Sequence, residues 1–249
     1  MVSNSGEDTE NGISRIAANL SQLQNEINEA AALSGRTPDS VRLVAVSKTV
    51  GLTEIAWAQA AGITDFGENR SKDLQERQTA YPQAAWHFIG RIQSNKVKDF
   101  VGRTALVHSV SSEHVLSEIN KRAEALGIVQ AILVEVNTSG EQSKDGVSAA
   151  DLPGLLEAAS KLSAVRVDGL MTIAPIADDD SIRRCFAYLH RARDDMQQLF
   201  KAAPNLPLLE LSMGMSDDFR LAVMEGATIV RIGRSIWRGL AQEPDPANL

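Results

Sequence analysis

The run LVAVSK at residues 43–48 decides how this chain is read. Side chains alternate along a strand, so Val44 and Val46 share a face with Lys48, while Leu43, Ala45 and Ser47 take the other. The run reads as a buried strand with a lysine at its exit. Two readings of that lysine are open. It leaves the strand for water, its apolar stem lying along the surface. Or it is a desolvated amine of lowered pKa, suited to condensing with an aldehyde.

What surrounds the run is an alternation of short apolar strands and helical stretches. Upstream, Ile13, Ile16, Leu20, Leu23, Ile27 and Ala31 recur at helical spacing, and Gly35 with Pro38 ends the pattern. That helix precedes the first strand and is an addition to what repeats afterwards. Downstream, strands are expected at 63–66, 86–89, 105–109, 131–136, 165–172, 208–212 and 228–232, each followed by a helix. Ser111 or Ser112 caps one of these helices, and Ser148 with Asp151 has capping-box spacing for another. Gly233 is expected to open the last helix. Parallel strands need such crossovers, and no link reads as a hairpin. A doubly wound open sheet is the alternative. Eight strands in 249 residues favour a single-domain (β/α)8 TIM barrel with an additional N-terminal helix. The expected layout is a disordered tail over 1–12, the barrel over 13–239 and a C-terminal tail over 240–249.

Composition narrows the class. A hydrophobic fraction of 43% is ample for one core, and a net charge of −7 leaves no basic footprint for nucleic acid. Cys185 alone forms no internal disulfide and reads as buried filler in a helix. No apolar stretch approaches the ~20 residues that cross a bilayer. The polar, acidic start lacks a signal layout. These features read as a soluble cytoplasmic protein with no metal site.

In barrels of this kind function sits at the C-terminal ends of the strands. Lys48 ends the first strand, Glu68 and Asn69 follow the second, and His87 lies in the third. Met171 and Thr172 end the sixth, and Ser212 ends the seventh. Arg231 lies in the eighth, just before Gly233 and Arg234. A barrel strand is covered on both sides, so Arg231 needs buried acceptors or a ligand's ring nitrogen or anion. Gly233 at a helix N-terminus would favour a phosphate, with Ser212 and Gly214 on the neighbouring loop. An aldehyde, a ring nitrogen and a phosphate together describe pyridoxal 5′-phosphate (PLP).

Six stretches occur in order at the strand ends: LVAVSK, FGEN, WHFIG followed by QSNK, VDGLM, LSMGMS and VRIG. In this arrangement, from about Ile13 to Gly239, the chain resembles the pyridoxal phosphate homeostasis protein family, itself similar to the barrel domain of alanine racemase. The resemblance implies a PLP Schiff base on Lys48, with Asn69 near the cofactor. It implies Ser212 and the Gly233–Arg234 backbone around the phosphate, and Arg231 at the pyridine nitrogen. His87 and Met171 match family positions near the pocket. Arg234 stands where the family often has a small residue, which still permits a backbone phosphate contact without implying a hydroxyl contact from Ser235. Trp237 and Arg238 replace a commoner Phe-Gly ending.

PLP serves as an electron sink best when its ring nitrogen is protonated, and an always-charged arginine opposes that state. The resemblance implies that racemases of the related fold add a tyrosine from a further β-domain in a dimer. No such domain is visible here, and Tyr81 and Tyr188 read as helix-end and helix positions. His87, otherwise a hydrogen-bonded core residue, is the best substitute base. The leading expectation is therefore a monomeric PLP-binding protein of vitamin B6 and amino-acid homeostasis without robust catalysis. Apo PLP-enzymes are its possible recipients. A single-domain amino-acid racemase is the alternative. A cofactor-free Schiff-base aldolase acting on a sugar phosphate is the third.

Overall fold

Eight parallel strands close into a barrel in chain order: β1 (Arg42–Val46), β2 (Asp65–Glu68), β3 (Ala85–Phe88), β4 (Leu106–Val110), β5 (Gln130–Glu135), β6 (Val165–Met171), β7 (Glu210–Ser212) and β8 (Ile229–Ile232). The structure is a computed structural model that describes residues 5–141 and 145–240. Closure comes from β8 pairing with β1, with Val44 opposite Arg231 and Ala45 opposite Ile232. The register puts two deciding stretches of sequence, LVAVSK and VRIG, side by side.

The alternation within each strand divides the apolar residues into two cores. Val44, Leu106, Ala131, Leu133, Met171 and Ile229 fill the barrel interior. Ala45, Phe66, Trp86, Val107, Ile132, Val167, Leu211 and Val230 face outward and meet the helices. Each such side chain, when fully buried, contributes roughly 1.5–3 kcal/mol, so two-sided burial holds even the three-residue β7 in place.

The helices are α1 (Ser5–Leu33), α2 (Leu52–Ala60), α3 (Ser71–Ala80), α4 (Val97–Phe100), α5 (Glu113–Leu126), α6 (Leu152–Ser160), α7 (Asp179–Leu199) and α8 (Phe219–Met224). Ser112 caps α5, its hydroxyl accepting from the Val115 N–H at 3.3 Å, as the sequence predicts. Cys185 is buried on α7, also as expected.

Two expectations about the ends need correcting. The first helix starts at Ser5, so residues 5–12 are helical rather than a disordered tail. Their polar composition hides the helix from a search for apolar periodicity, because this first turn has little to bury. Positions 1–4 and 241–249 of the expected tails lie outside the described residues. The second correction concerns Gly233. Residues 233–240 form a succession of turns, and no helix follows β8 among the described residues. The place for one is taken. α1 packs against both α2 and α8, filling the gap in the helical ring beside the β8–β1 seam. Ile16, Leu23, Ile27, Ala30 and Ala31 form its buried stripe. Asn19 Nδ2 donates to the carbonyls of Ile236 and Arg238, each at 2.9 Å, and fastens the turns to α1.

After β7 the chain passes through Gly214, whose φ is +94°. Its carbonyl accepts the Arg231 N–H at 3.0 Å. A Cβ at this position would lie 2.6 Å from Ala222 Cβ and 3.0 Å from Phe219 Cα. Gly214→Ala is expected to cost about 2–4 kcal/mol, from a left-handed backbone and overpacking together. A lowered urea midpoint at unchanged slope checks this.

Candidate functional site

Of the sequence-predicted residues, Lys48, Asn69, Gly233 and Arg234 lie beyond the strand ends, while His87, Met171, Ser212 and Arg231 are buried on the strands themselves. Lys48 lies two residues beyond β1, in a turn, and is exposed. The expectation of a desolvated amine is not met. The neighbouring Ser47 is fully buried against β2 and α3. The Ser47 hydroxyl donates to the Glu68 carboxylate, which also accepts from Arg77 of α3. Arg77 donates further to the carbonyls of Ser47 at 2.7 Å and Val50 at 2.6 Å. The turn carrying Lys48 is thus clamped by a guanidinium whose charge is answered by a fully buried carboxylate. Burial moves the Arg77 pKa down to about 10, with Glu54 opposing, so the cation persists at neutral pH.

Arg231 is 4% exposed and belongs to the interior face of β8, two residues after Ile229. It donates to Ser212 Oγ at 2.6 Å and to the Thr172 carbonyl at 3.0 Å. Burial lowers its pKa to about 10, against the attraction of Glu135 and Asp218, and it remains a cation at neutral pH. Ser212 is fully buried, and its hydroxyl also meets His108 Nδ1 at 2.9 Å. The expected placement of Ser212 on a phosphate therefore gives way to a supporting place beneath Arg231.

His87 also sits elsewhere than expected. It is 1% exposed, with Nε2 on Asp65 at 3.1 Å and Nδ1 on His108 at 2.9 Å. Both ring nitrogens are occupied, so it is a hydrogen-bonded core histidine and no base at the mouth. Met171 is 1% exposed and forms part of the interior packing. Asn69 is exposed after β2. Its carbonyl runs so close to Gly90 that a Cβ there would lie 2.1 Å from it, so the glycine lets the second and third loops meet.

Gly233 is half-buried beside β1, and Arg234 is exposed and ion-paired with Asp217. The predicted helix N-terminus is absent, but the turn supplies donors in its place. Ile236 N–H returns to the Gly233 carbonyl at 2.9 Å, while the N–H groups of Arg234 and Ser235 have no backbone acceptor among the described residues. Such unpaired successive amides form an anion-binding concavity. Trp237 is buried and donates from Nε1 to the Val46 carbonyl at 2.7 Å, tying this turn to the end of β1.

Three residues that sequence reading passed over belong here. Asp65 and His108 lie on the interior faces of their strands, and Glu135 ends β5 in step with the interior residues Ala131 and Leu133. The alternation of LVHSV and QAILVE gives the signal for the last two: a polar residue in phase with apolar interior ones. Glu135 is 7% exposed. Burial and the nearby Asp145 raise its pKa to about 7, against Arg231 and Arg91.

The chain matches the family model of the alanine racemase N-terminal domain over residues 18–240. It is 41% identical to the pyridoxal phosphate homeostasis protein of Aquifex aeolicus over 221 residues, covering 88% of this chain and 95% of the relative. The protein of that name from Pseudomonas aeruginosa is 39% identical over 228 residues, covering 90% and 96%. Among solved structures, PipY of Synechococcus elongatus with PLP bound is 36% identical with a TM-score of 0.77, covering 89% of this chain and 99% of that one. Alanine racemase from Corynebacterium glutamicum shares the fold at 15% identity and a TM-score of 0.70, this chain spanning 65% of its length.

Glu135 generates a pH dependence of stability. Its folded pKa of about 7 stands above its ordinary 4.5, so across that window the folded chain holds a proton that the unfolded chain has released. Stability therefore falls as pH rises from 4.5 to about 7 and stays lowered above it, by an amount on the order of 3 kcal/mol. Glu135→Gln removes the titration. It is expected to raise the urea midpoint above neutral pH and to leave it nearly unchanged near the ordinary carboxyl pKa.

Proposed function

Because this chain belongs to the pyridoxal phosphate homeostasis protein family, we propose that its barrel mouth holds PLP and serves vitamin B6 and amino-acid homeostasis. The observation that carries this reading is Arg231, a buried guanidinium beneath the mouth on whose rim Lys48 stands. The residues fit the cofactor. Lys48 offers an amine, the Arg234 and Ser235 amides offer unpaired donors for a phosphate, and Arg231 can only donate. When bound, PLP supplies an aldehyde that condenses with amines and a ring that withdraws electrons.

Lys48 would hold the aldehyde through its amine, and Arg77 fixes the turn that carries it. The turn over 233–236 would hold the phosphate by its backbone donors. Asn69 would lie near the cofactor, above an interior packed by Met171. Arg231 would donate to the ring nitrogen. A donor-only cation there requires the nitrogen to accept, and so keeps it unprotonated and the ring a weak electron sink. This supports a holder of PLP with little turnover of its own. In the same reading the protein is a cytoplasmic monomer that passes PLP to apoenzymes. No helix among the described residues is long and apolar enough to cross a membrane.

One observation favours a second reading, a single-domain amino-acid racemase. Glu135 is a mouth carboxyl with a pKa of about 7, suited to giving and taking a proton at neutral pH. Paired with Lys48 it would supply the second acid–base group that the tyrosines do not: Tyr81 donates its hydroxyl to the Leu52 carbonyl, and Tyr188 lies on α7.

Borohydride treatment of the PLP-loaded protein is expected to fix the label on the peptide containing Lys48, and Lys48→Ala to abolish it. Equal irreversible labelling of that variant would remove Lys48 as the attachment point. Incubation of alanine or serine with the loaded protein in heavy water separates the two readings. The holder leaves the α-proton in place, whereas exchange at ordinary enzyme rates, lost in Glu135→Gln, would establish the racemase.

A further inference from the structure

A continuous line of buried polar groups crosses the barrel interior, in a place where apolar filling is the rule. From the mouth downward, Arg231 donates to Ser212 Oγ at 2.6 Å. Ser212 Oγ meets His108 Nδ1 at 2.9 Å, and His108 Nε2 meets His87 Nδ1 at 2.9 Å. His87 Nε2 meets Asp65 Oδ1 at 3.1 Å. His108 and Ser212 are fully buried, and His87 is 1% exposed. Asp65 also accepts from Thr64 Oγ1 at 2.7 Å and has Arg42 4.0 Å away.

The ends of this line fix the two terminal bonds, and the single proton on His108 with the acceptor balance at Ser212 orders the two between. Arg231 has no acceptor atom, so Ser212 must accept from it. Burial pushes the Asp65 carboxyl up, but hydrogen bonds from His87 and Thr64 outweigh that and hold it below the usual range, so it is ionised and only accepts. Burial, aided by His87, Arg231 and Arg42, holds His108 well below the usual imidazole range, so it carries one proton. The consistent assignment runs one way. Ser212 donates to His108 Nδ1, His108 Nε2–H donates to His87 Nδ1, and His87 Nε2–H donates to Asp65. The reverse order puts protons on both nitrogens of His87 and makes Ser212 accept twice, with no further acceptor for its own proton among the described contacts. In the one-way order the bond dipoles align, with their negative ends toward the guanidinium, and each bond strengthens the next.

We propose that Asp65, His87, His108 and Ser212 form a one-directional relay that orients Arg231 as the donor to the ring nitrogen of PLP. They are positioning residues, since they act through Arg231. The inference rests on the PLP reading for its ligand, while the relay itself is a property of the ligand-free chain. Deleting a middle link leaves Ser212 free to turn and loosens the guanidinium under the ring.

Imidazole nitrogen NMR of the ligand-free protein at neutral pH tests the relay without cofactor. The expected result is that both His87 and His108 are neutral and protonated on Nε2. A cationic ring, or a proton on Nδ1 of either, overturns the one-way order. PLP titration of two variants tests the positioning. His108→Leu breaks the line and is expected to weaken binding roughly tenfold or more, the loss of one charged hydrogen bond, and to shift the absorption band. His108→Gln, which can accept and donate at the same places, is expected to restore affinity and band. Identical affinity and band in a folded His108→Leu overturn the positioning. Where that variant does not fold, the band and affinity of His108→Gln and the nitrogen spectrum decide, and a shifted band in His108→Gln counts against the relay. If the wild-type protein takes up no PLP, the PLP reading fails, while the nitrogen spectrum still decides the order of the bonds.

Discussion

A guanidinium inside a closed barrel sets the terms for much of this molecule. Arg231 is 4% exposed, and an unanswered charge at such a depth would cost several kcal/mol. Ser212 and the Thr172 carbonyl answer it directly, and Glu135 and Asp218 answer it through space. Below Ser212 the histidines and Asp65 carry the response through the barrel. Interior volume that isoleucine or valine would ordinarily fill is given to polar groups. The stability given up there comes back from the outer core between strands and helices, where Phe66, Trp86, Phe186 and Ile132 are wholly buried.

The same arginine separates what this fold can bind from what it can catalyse. A ring nitrogen facing a donor-only cation accepts a hydrogen bond and stays unprotonated, which leaves an aldehyde free to condense with amines while blunting the ring as an electron sink. In the proposed reading, retention of the cofactor is favoured over its use. Glu135, whose pKa is raised to about 7, stands on β5, opposite β1 in the closed order of strands. The balance between holder and enzyme rests on these two side chains.

The barrel was legible in the sequence because its signals are local: short β-branched runs, capped helices and no hairpin links. Lys48 and Arg231 were legible as charged residues at the ends of apolar strands. Their environments were not. The exposure of Lys48 depends on a turn that the Arg77 clamp holds, and Arg77 sits 30 positions after Ser47 on a helix with no periodic signal of its own. His87 reads alike as a base or as core until its partners are known, and His108 lies 21 residues further on. Ser212 was drawn to a phosphate by its loop, yet its hydroxyl is engaged one level deeper. The helix expected after Gly233 failed for a topological reason, since α1 already occupies that place in the ring.

That substitution by α1 bears on how the chain becomes functional. Asn19 clasps carbonyls 217 and 219 positions away, and β1 finds its second neighbour only in β8. Contacts of such separation carry a large loop-closure cost and form late. During synthesis the first helix must wait for the end of the chain before it has its full seat. Arg231 and the 233–236 turn arrive with that final closure. A nascent chain would therefore possess the lysine long before it possessed Arg231 and the 233–236 turn, so the mouth is completed only when the last strand closes the barrel.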